Sequence, residues 1–152
     1  MQMNSIFWSV LWMMVISFII EYYIMSYIVV ENFNNITNSL GKIYMSAIMA
    51  IMMGLAEVFM FDIMNKSIHI IYYYILLLLL GVFYLLYSMQ IGVNDDEYLK
   101  EMIEHHEMAI KTSIAIEEKT SNYKVKKFAK NIINGQGDEI EYMKKLLKEN
   151  SN

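Results

Sequence analysis

The sequence predicts an all-α protein in which three transmembrane helices precede a two-helix hairpin. Three observations carry that prediction. Residues 6–93 are almost continuously apolar and break into three runs of bilayer-spanning length. Ten of the twelve lysines lie after Val93, so a polar tail follows the apolar part. In that tail the apolar positions recur three and four residues apart, and the chain contains no proline to interrupt a helix. The division this implies is a membrane domain over 1–93, with spans at about 6–30, 43–64 and 68–93, and a soluble helical hairpin over 94–152.

The first run, Ile6 to Val30, is about 25 residues long and at 1.5 Å per residue crosses a hydrocarbon layer of about 30 Å. No Lys or Arg precedes it and no small-residue cleavage site follows, so it reads as a retained span and not a signal peptide. Met14, Ser17, Glu21 and Met25 share one face; Glu21 reads as an interfacial residue in an aromatic belt with Tyr22, Tyr23 and Tyr27, the alternative being a polar seam. Glu31 to Gly41 holds four asparagines, a serine, a threonine and a glycine, and marks a loop. The acceptor patterns Asn35-Ile36-Thr37 and Asn65-Lys66-Ser67 would face opposite sides of the membrane, and both read as chance matches.

The second run carries Met45, Met49, Met52, Met53, Met60 and Met64 within about 120° of one another, with Glu57 adjoining. A packing seam is the expected role, with Cu(I) passed between thioethers as the alternative. Glu21 and Glu57 would lie about 10 Å apart in depth, too far to share an ion. Asn65 to Ser67 is a tight connection, and the third run, with tyrosines near both ends and an interfacial His69, is a plain anchor. Lys42 and the tail fall on one side and Lys66 on the other; the charge rule leans toward a cytoplasmic tail, but the lysine signal is mixed and leaves the side of the tail of this multi-pass membrane protein open.

Asn94 and Glu97 have the spacing of a capping box, and Asp95, Asp96 and Glu97 suit the first turn of a helix that starts almost at the membrane. A Thr-, Ser- and Asn-rich turn at Lys119–Asn122 separates it from a second helix over about 123–148. Gly135 and Gly137 each cost about 1 kcal/mol relative to Ala, so a bend is expected there.

On the first tail helix Tyr98, Met102, His105, Ala109, Thr112 and Ile116 fall on one face, which points His105 inward. His106 lies at the edge of that face, and Glu104, Glu107 and Lys111 lie opposite. On the second helix Val125, Ala129, Ile132, Gln136, Ile140, Met143 and Leu147 form a stripe with Glu139 at its margin. Imidazole with thioether suits copper, and imidazole with carboxylate suits zinc or iron. The bland reading of the same residues is a satisfied core histidine among gap-filling methionines.

The run Met102-Ile103-Glu104-His105-His106-Glu107-Met108, followed by Phe128-Ala129, Ile132-Ile133, Gln136, Glu139-Ile140 and Met143, resembles domain of unknown function family 305. That family is ferritin-like and helical, and some members are implicated in copper binding and resistance. The resemblance covers about the last third of the chain and implies Met102, His105, His106, Gln136, Glu139 and Met143 as metal ligands. Glu104 stands where the family has proline and Thr112 where it has methionine, a ligand that Met108 could supply instead.

A hairpin of about 55 residues buries little surface by itself, so two copies are expected to pair as a four-helix bundle. The expected partners are thus the lipid bilayer, a second copy and a metal ion. The expected function is membrane-anchored binding, sequestration or hand-over of a metal ion, copper before zinc or iron. The alternative is a non-catalytic assembly protein whose His/Met core specifies helix pairing. A net charge of −4 without arginine argues against nucleic acid, and the absence of cysteine excludes disulfides and thiolate sites. No enzyme is expected. A ferritin-like oxidase would want Glu three residues before His105, where Met102 stands, and Ile110 takes the place of the second histidine of a zinc-protease motif.

Overall fold

The computed structural model describes residues 2–150, with side chains from Ser5 onward, and all regular elements among them are helical. They are α1 (Gln2–Ile19), α2 (Met25–Val29), α3 (Leu40–Asn65), α4 (Ile70–Ser88), α5 (Asp95–Lys119) and α6 (Tyr123–Asn150). A π turn at Ile20–Ile24 joins α1 to α2 without a break, and Glu21 stands in it, half-buried. Three helical stretches, Ser5–Val29, Leu40–Asn65 and Ile70–Ser88, are long and apolar enough to cross a membrane. The chain divides into two compact units, one formed by 1–24 and 41–92, the other by 25–40 and 93–152.

In the first unit Ile6, Val10, Ile51, Val58 and Leu76 are buried together, with Met14, Leu55, Tyr72 and Phe83 packed around them. Gly54 lets α1 and α3 approach, since a Cβ there would stand 2.8 Å from Met14 Cγ. Ser9 Oγ donates to the Glu57 carboxylate, which satisfies one polar atom of a chiefly apolar contact. The third run ends as a helix at Ser88 and not at Val93. Gln90 (φ 51°) and Gly92 (φ 77°) take left-handed conformations that a helix cannot continue through, and glycine does so without steric cost.

The second unit is built on the α5–α6 hairpin. Asn94 Oδ1 accepts the Glu97 N–H at 2.9 Å and caps α5, while Asn122 Oδ1 accepts the Lys124 N–H at 3.0 Å at the start of α6. The two helices run antiparallel. Lys126 and Lys130 meet Glu117 at the turn end, and Asn150 Nδ2 donates to Asp96 Oδ1 at 2.7 Å at the other. Leu99, Ile103, Ile140 and Met143 form the buried seam, with Met102, Ile110, Leu146 and Leu147 against it. The helix runs through Gly135 and Gly137 without interruption, and α6 is one continuous helix.

The side of α5 turned away from α6 is also covered. Residues 25–40, read from the sequence as a span end and a loop, pack on it with Ser26, Asn35 and Ser39 buried. Glu107, 3% exposed, accepts the Asn32 N–H at 2.9 Å and the Asn35 side-chain amide. Glu104 accepts from Ser26 Oγ and, at 3.1 Å, from the Thr37 N–H. Glu97 accepts the Leu40 N–H at 2.6 Å, and Lys111 Nζ donates to the Val30 carbonyl at 3.0 Å. A face that periodicity marks as polar is therefore buried by pairing each carboxylate with hydroxyl, amide and backbone donors.

Candidate metal centre

The α5 face that packs on α6 is the row Leu99, Ile103 and Ile110, about 100° round from the row expected to turn inward. His105 is consequently exposed, as are Tyr98, Thr112 and Ile116 of the same row, which corrects the inward placement of that histidine. Both rows are spaced for a helix. The one that wins carries only aliphatic side chains at its core positions, and burying those releases more apolar surface than burying a histidine and a threonine would.

His106 comes to the α5–α6 seam instead. Its Nδ1 lies 2.8 Å from the Met102 carbonyl oxygen, one turn back on α5. A carbonyl only accepts, so Nδ1 carries the hydrogen and donates it. Nε2 lies 2.7 Å from Glu139 Oε2 on α6, with the imidazole 16% exposed and the carboxylate 61%. A backbone carbonyl holding Nδ1–H fixes the ring and directs Nε2 outward, the arrangement that supports a metal-ligating histidine. The 2.7 Å separation is that of a direct hydrogen bond. It is a few tenths of an ångström shorter than the roughly 3 Å between two ligands each about 2.0–2.2 Å from one ion.

Around this pair the expected donors are distributed unevenly. Met143 is buried in the apolar seam and Met102 packs against it. His105 is adjacent but turned out, its ring centroid 6.4 Å from that of His106 at an interplanar angle of 65°. Gln136 is half-buried on the same stripe of α6, and Met108 is exposed away from the seam. Glu141, two residues beyond Glu139, is held below the ordinary carboxylate value by the hydrogen bond and charge of Lys144 at 2.8 Å, and is thereby paired off. Among the described residues no group of three or more His, Asp or Glu side chains is gathered as a metal cluster. What the hairpin brings together is one oriented imidazole and one carboxylate; Met102 and Met143 stand one helical turn from them along α5 and α6, against and within the apolar seam.

Two polar clusters were not anticipated from the sequence. One is the set of carboxylates on α5 that hold 25–40. The available signal was that Glu104 and Glu107 recur with helical spacing while 31–41 supplies a matching excess of amide and hydroxyl donors. The other is Asp62, buried near the end of α3, which accepts from the His69 N–H at 3.0 Å and from Ser67 Oγ at 3.4 Å, and also bonds His69 Nδ1 and the Tyr73 side chain. An acid in the last turn of an apolar helix, against the helix dipole, was the available signal there.

Comparison with known proteins bears on the second unit most directly. The chain is 28% identical over 142 residues, 92% of its length and 91% of the relative's, to a protein of Acanthamoeba polyphaga mimivirus named "Uncharacterized protein L153". No solved structure matches. Residues 86–149, which contain α5 and nearly all of α6 with every candidate ligand, match the family described as Domain of unknown function (DUF305).

Proposed function

We propose that the protein is a multi-pass integral membrane protein whose C-terminal hairpin binds a metal ion, copper in the first place, to sequester it or pass it on. The observation that carries the reading is His106, oriented by the Met102 carbonyl with Nε2 facing Glu139 across the α5–α6 seam. His106 and Glu139 hold the ion, and the Met102 and Met143 thioethers beside them supply the soft donors that favour copper over zinc. In this reading bound copper is cargo, held and released without transforming a substrate.

Three apolar helices of membrane length support the anchoring, and the tail follows the last of them directly. The exposed row Tyr98, His105 and Ile116 on α5 supports pairing with a second hairpin as a four-helix, ferritin-like bundle. In that pairing His105, Gln136 and Met108 belong to the enlarged site. The competing reading is an assembly protein with no metal, and the burial of Met143 among Leu99, Ile103 and Ile140 favours it.

The test is metal content of the detergent-purified full chain beside His105→Ala/His106→Ala and Glu139→Gln. Copper retained at a fixed ratio by the wild type and lost in the variants supports binding. An intact oligomer with no retained metal in the wild type supports the assembly reading.

A further inference from the structure

The methionines of α3 stand out once the structure shows which side of that helix is used. Its packed side is Ser46, Ala50, Ile51, Gly54 and Val58. Met45, Met49, Met52, Met53, Met60 and Met64 all lie on the other side, with exposures of 40, 39, 51, 41, 53 and 77%. The packing seam expected of them is absent within their own unit. The exposed side of α4, by contrast, is aliphatic and aromatic, with Ile71, Ile75, Leu78 and Leu85 beside Tyr74 and Tyr84. The outward face of α3 thus carries thioether sulfur, and that of α4 carries none.

The spacing puts these sulfurs where they can act together. Met49, Met52 and Met53 are i, i+3 and i+4, so their side chains leave one turn of the helix side by side. Met60 and Met64 repeat the i, i+4 step further along. Between the two groups stands Glu57, i+4 from Met53 and i−3 from Met60, half-buried and bonded by Ser9 Oγ. Thioethers select Cu(I), and as neutral donors they sit in an apolar setting at little cost. Glu57 supplies the one anionic side chain beside the row, matching the single charge of such an ion.

We propose that Met49, Met52 and Met53 form a thioether site for a soft monovalent cation, Cu(I) or its surrogate Ag(I), independent of the hairpin site. Met60 and Met64 continue the row toward the far end of α3, and Glu57 provides the counter-charge between them.

The experiment titrates Ag(I), and Cu(I) against a chromophoric chelator, into the full chain in detergent micelles. It compares wild type, His105→Ala/His106→Ala, and Met49→Leu, Met52→Leu and Met53→Leu singly and together. Met→Leu nearly conserves volume and hydropathy, and Met13→Leu on α1 serves as the control for a methionine off the row. The hairpin variant is expected to keep a sulfur-only equivalent that the triple variant loses. Each single variant is expected to weaken that equivalent by about tenfold, and Met13→Leu to leave it unchanged. Helicity and elution volume matching the wild type establish that the variants fold, and a misfolded triple variant leaves the singles to decide. The proposal is overturned if the hairpin variant binds no ion, or if the leucine variants bind as the wild type does. Absence of a second, histidine-dependent equivalent in the wild type, with the α3 equivalent intact, would refute only the hairpin reading.

Discussion

Replacing Glu107 by alanine removes the acceptor that holds the middle of the 25–40 segment. In the native protein this carboxylate is 3% exposed and takes two hydrogen bonds, from the Asn32 N–H at 2.9 Å and from the buried Asn35 amide. A bond to a charged acceptor contributes about 1.5–3 kcal/mol. The two are coupled through one side chain and water can enter the space left, so the sum is discounted to about 3 kcal/mol for opening the segment. At 1.4 kcal/mol per decade that is about a 150-fold rise in the opening constant. The assay is hydrogen exchange on the full chain in detergent, read at the Asn32 and Thr37 amides. Asn32 is expected to lose protection by about two decades. Thr37, which Glu104 holds at 3.1 Å, is expected to follow only as far as the segment opens as one piece. Glu107→Gln keeps one acceptor oxygen and should cost about 1 kcal/mol. Unchanged protection at Asn32 in Glu107→Ala would refute the claim that buried carboxylates on α5 hold this segment.

Three further outcomes are expected. Gly54→Ala should destabilise the first unit by about 1–3 kcal/mol, because its Cβ would meet Met14 Cγ at 2.8 Å; thermal unfolding reads this. Gly135→Ala meets nothing within 4 Å in the single chain and should stabilise α6 by about 1 kcal/mol, whereas loss of the dimer on size exclusion would place a second copy against that position. In the hairpin seam, Ile103→Ala should cost about 2–4 kcal/mol in chemical unfolding, since Ile103 is 2% exposed, while Met143→Leu should cost under about 1.5 kcal/mol.

What was legible in the sequence followed from single-chain periodicity and local chemistry. The helices, the Asn94 cap, the polar turn before α6 and the α6 stripe with Ala129, Ile140 and Met143 buried all appear. The inward face of α5 is ambiguous in the sequence because two rows of residues satisfy the same spacing one residue apart, and the row Leu99, Ile103 and Ile110 is the one that packs on α6. His106, placed at the edge, is the histidine at the seam. The covering of Glu104 and Glu107 was hidden for a different reason. Apolar periodicity registers only faces buried by apolar contact, and this one is buried by donors about 70 residues away in the chain. The end of α4 at Ser88 turned on backbone conformations at Gln90 and Gly92 that an apolar run does not announce.

The centre of the account is that His106 presents Nε2 to a metal while Nδ1 stays bonded to the Met102 carbonyl. Nitrogen-15 NMR of histidine-labelled full chain, recorded as Cu(I) is added, tests this directly. The account predicts that the Nε2 resonance of His106 shifts to that of a metal-bound nitrogen, that Nδ1 keeps its proton, and that Glu139→Gln weakens the response. An unmoved His106 beside a titrating His105 would contradict it, and so would the absence of any histidine response.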